Sequence, residues 1–60
     1  MADDSTRRLL KAFGIALTNL EEAVQDGAGD AARKADAELR ERMKEIIELV
    51  ETLSERAAAL

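Results

Sequence analysis

Five carboxylates, Glu41, Glu45, Glu48, Glu51 and Glu55, recur every three or four residues through the last third of this 60-residue chain. On a helix that spacing gathers them on one side, and a divalent cation takes oxygen ligands of this kind. Carboxylate-bridged sites in helical bundles join such a Glu to a His three residues on, and this chain contains no His. The row is therefore expected to be solvated surface. Ser5 and Ser54 are hydroxyl nucleophiles by type, but the sequence holds neither His nor Cys to activate them. Gly27-Ala28-Gly29 follows no strand, so it is expected to be a turn and not a phosphate cradle. Without Cys there is also no thiolate ligand and no disulfide. The expectation is no catalysis, no metal and no cofactor.

Basic residues form the other chemical group: Arg7, Arg8 and Lys11 early, then Arg33, Lys34, Arg40, Arg42 and Lys44. A small bundle can present such a face to RNA or DNA. Here Glu38, Glu41 and Glu45 interleave with the bases, the one aromatic is Phe13, and the net charge is −4. Polyphosphate is not drawn to an acidic protein at long range, and stacking platforms are lacking, so nucleic acid ranks low among partners. Asp36 interrupts an otherwise apolar row. It is either a buried carboxylate that fixes helix register or a water-exposed residue beside Arg40, and the second reading is the simpler.

The elements that carry these residues follow from composition and period. Hydrophobic residues make up 47% and charged residues 37%, with no Pro, a mixture typical of coiled coils and bundles. Asp4-Ser5-Thr6 offers capping oxygens, so a first helix is expected over about residues 5–26. Its row Leu10, Phe13, Leu17, Leu20, Val24 advances in steps of three and four, a heptad seam flanked by Leu9, Ala16 and Ala23. Gly27 suits a left-handed helix stop and Asp30 a helix start, giving a turn at 27–29 and a second helix over about 30–58. The second seam reads Ala32, Asp36, Leu39, Met43, Ile46, Val50, Leu53, Ala57, Leu60. The predicted fold is all-α, a single antiparallel two-helix hairpin spanning residues 1–60.

Folding about Ala28 brings residue i opposite roughly 56 − i, so Leu17 meets Leu39 and Phe13 meets Met43. The second helix is longer, and Leu53, Ala57 and Leu60 project past the first. Two helices cannot shield both edges of their seams, and each exposed Leu or Ile forfeits about 1.5–3 kcal/mol of burial. The expected remedy is a second copy, giving a four-helix bundle about a two-fold axis. Leu10, Phe13, Leu17, Leu20, Leu39, Met43, Ile46, Val50 and Leu53 are the expected oligomer interface. Gly14 and Ile15 lie off the seam and form a candidate second contact surface. The function expected is a non-enzymatic interaction module that pairs with itself. The alternatives are an accessory subunit docked on a larger protein and a nucleic-acid-binding dimer. No run reaches the roughly 18 apolar residues of a membrane span, and the start Met1-Ala2-Asp3-Asp4 is too acidic for a signal peptide. A soluble cytoplasmic protein is the expectation.

Overall fold

Asp3, one residue ahead of the expected capping segment, starts the first helix. Its Oδ1 accepts a hydrogen bond from the Thr6 backbone N–H at 2.9 Å, satisfying one of the orphan donors of the first turn. In the computed structural model, which describes residues 3–60, helix α1 then runs Asp4–Gln25. Gly27 stops it at φ 70, the left-handed conformation that glycine adopts without a Cβ clash. The Gly27 N–H donates to the Val24 carbonyl at 3.1 Å and the Ala28 N–H to the Ala23 carbonyl at 3.0 Å. Those two bonds are the pair that closes a Schellman turn.

Helix α2 follows at once and runs Gly29–Ala58, packing against α1 as a hairpin. Asp30 does not cap it. Ala28 occupies the capping position without a side-chain bond, and Asp30 lies inside the first turn, paired with Arg33. Alanine has no side-chain oxygen to cap the helix, so the Schellman bonds organise the reversal without one. The hairpin measures 48 × 18 × 13 Å.

The helices meet along a line rotated from the expected seam. The buried residues are Ala16, Ala23, Ala35 and Leu39, with Leu9, Phe13, Leu20, Ile46 and Leu49 half-buried beside them. The flanking row Leu9-Ala16-Ala23 therefore makes the internal contact, and the heptad row Leu10-Leu17-Val24 turns outward. Alanine explains the rotation. Small side chains let two backbones approach closely, whereas Leu17 against Leu39 would hold them apart. Because three of the four buried residues are Ala, the pair hides little apolar surface. From Glu51 onward every residue of α2 is exposed, so the end of the longer helix has no internal neighbour.

Candidate interaction face

The two broad sides of the hairpin differ in chemistry. On one, Leu10, Phe13, Met43, Ile46 and Ile47 line a shallow groove of about 370 Å³ with no polar residue among them. On the other, the groove holds Ser5, Arg8, Arg42 and Glu45 around Leu9 and Ala12. There the Arg42 guanidinium donates to both carboxylate oxygens of Glu45, at 3.0 and 3.1 Å. The heptad rows mark an apolar stripe on each helix, but the helices meet on its alanine edge, and the polar character of one side of the hairpin is not foretold by the rows. Arg42 carries the signal, since it lies one turn from Leu39 on the helix surface.

The nine residues expected at an interface fall into two groups. Leu39 is buried inside the hairpin, and Phe13, Leu20 and Ile46 are half-buried there. Leu10, Leu17, Met43, Val50 and Leu53 remain exposed. Val24 and Ile47, also exposed, extend the same surface. Leu10, Leu17 and Val24 recur every seven residues on α1, as Met43 and Val50 do on α2, so the open face keeps the heptad period. Phe13/Met43 and Leu10/Ile46, paired by the fold-over about Ala28, share one groove.

The hairpin as a whole shows more surface than a compact protein of its mass. The hairpin presents 4958 Å², whereas a compact monomer of 6.5 kDa presents about 3,800 Å² by surface–mass scaling. The surplus of about 1,100 Å² exceeds the ~800 Å² that each partner of a standard interface buries.

No family model matches this chain, and no match is found among the curated proteins or the solved structures.

The remaining candidates are weaker. Asp36 is half-buried and accepts a hydrogen bond from Arg40 Nε at 3.0 Å, so its charge is answered within its own helix. Glu41 pairs with Lys44 and Glu45 with Arg42. No group of three or more acidic side chains converges as a cation site among the described residues. Ile15 is exposed on the side away from the apolar face, in a surface hollow with Lys11, Gly14, Thr18 and Asn19. A methyl group added at Gly14 would meet nothing within 4 Å, so hairpin packing does not require glycine there. The Thr18 hydroxyl donates to the Gly14 carbonyl at 2.9 Å, which satisfies the one hydroxyl of this hollow. No described helix is long and apolar enough to cross a membrane.

Proposed function

We propose that the chain is a non-enzymatic self-assembly module. Two hairpins stack apolar face to apolar face about a two-fold axis and form a four-helix bundle. The surplus of accessible surface supports this reading most directly. Two surpluses together make about 2,200 Å², within the roughly 2,000–5,000 Å² range of obligate homodimers. Self-pairing suits a face of this kind because a two-fold axis sets like against like, and Leu, Val, Ile and Met pack well on themselves. The polar groove on the opposite side then stays in water, which closes the assembly at two copies.

Light scattering on the eluting protein, across a hundredfold range of concentration, tests the proposal. A particle of twice the chain mass that dissociates only on dilution supports it. A particle of one chain mass throughout, still helical, removes it and leaves docking on a larger protein as the use of the face.

A further inference from the structure

One stripe along α2 borders the apolar face and is divided by charge. Arg33, Arg40 and Lys44 lie toward the turn, and Glu48, Glu51 and Glu55 toward the C-terminal end. Steps of seven, four, four, three and four keep all six on one side of the helix. Arg40 and Lys44 line a hollow with Met43 and Ile47, which places the stripe at the edge of the open face. The three basic side chains are well exposed, each 70% or more. Glu48, Glu51 and Glu55 have no ion-pair partner among the described residues.

We infer that, in the assembly proposed above, the α2 helices of two copies pair with each other in antiparallel fashion. This inference rests on the self-assembly reading. It places the two-fold axis across the hairpin's long dimension, close to residue 45. Met43 then faces Ile47 of the second copy, Arg40 faces its Glu51, and Lys44 lies beside its Glu48. Each contact occurs twice by symmetry. The basic half of each α2 meets the acidic half of the other, and two of the three unpaired glutamates, Glu48 and Glu51, gain partners.

The same arrangement gives the longer arm a neighbour: with the axis close to residue 45, Val50 comes level with Arg40 of the second copy's α2 and Leu53 with its Ala37. A two-fold axis along the hairpin would instead set each α2 over the α1 of the second copy, so Arg40 would not meet Glu51.

Charge exchange within one chain tests the pairing. Arg40→Glu alone, or Glu51→Arg alone, sets like charges together twice per dimer and is expected to raise Kd ~10-fold at low salt. The double variant Arg40→Glu/Glu51→Arg restores both contacts at unchanged net charge, and its Kd is expected within ~2-fold of the parent. Rescue inside a monomer is excluded by distance, because eleven helical residues separate the two positions by ~16 Å. If the parent protein dimerises but the double variant stays as weak as Arg40→Glu, the antiparallel pairing is overturned while self-assembly stands. A parent that is monomeric at every concentration fails the self-assembly reading itself.

Discussion

Met43→Ala separates an interface residue from a merely exposed one. Met43 is 44% exposed in the hairpin, on the outward row of α2 and in the apolar groove. Burying a methionine fully contributes about 1.5–3 kcal/mol, so covering its open half contributes about 0.7–1.4 kcal/mol per copy. The two-fold axis uses the residue twice, which gives about 1.4–2.8 kcal/mol per dimer. At about 1.4 kcal/mol per decade, Kd is expected to rise about 10- to 100-fold. Alanine keeps one carbon of the lost side chain, but the cavity left at a packed site offsets that. Sedimentation equilibrium measures Kd, and circular dichroism at high concentration checks that the helices persist. Ile15→Ala is the matched control, since Ile15 is 53% exposed but lies on the side away from the face. Its Kd is expected to stay within about twofold of the parent. Equal weakening by the two substitutions, or none by Met43→Ala, would refute the assignment of the face.

Gly27→Ala forces a Cβ into a backbone at φ 70 and is expected to destabilise each copy by about 1–2 kcal/mol, read as a lower urea midpoint at fixed protein concentration. Gly14→Ala meets open space and removes a helix-interior glycine, so stability should rise by about 1 kcal/mol; a fall would mean that another backbone packs closely there. The hydrogen bonds from Thr6, aided by Arg56, hold the Asp3 carboxyl below its ordinary value. A lowered folded-state pKa means that the cap contributes fully above the unfolded value and is lost as pH falls through the folded one. Thermal scans below about pH 4 should therefore show a smaller acid-induced loss in Asp3→Asn, whose side chain still caps but does not titrate.

The hairpin itself was legible in the sequence because its signals are local. Gly27 marks the reversal by the backbone freedom it supplies, and the three-four spacing of Leu10, Phe13, Leu17 and Leu20 marks a helix without reference to its neighbour. The rotation of the internal contact onto Ala16, Ala23 and Ala35 was not legible. Heptad counting ranks a leucine row above an alanine row, yet how closely two helices approach depends on side-chain size across the pair, which no single helix records. Asp30 misled for a related reason: its type suits a cap, but the bonds from Gly27 and Ala28 had already fixed where α2 begins. The open face was visible as excess apolar residues. Its division into an apolar and a polar side needed the fold, because Arg8 and Arg42 come together only when the hairpin closes.

Small-angle scattering from a concentrated solution of the intact chain tests most directly whether a second copy covers the apolar face. The expected particle has twice the 6.5 kDa chain mass, keeps a long dimension near the hairpin's 48 Å and thickens across its 13 Å side. A helical particle of one chain mass, with the hairpin's own dimensions at the highest concentration reached, would contradict it.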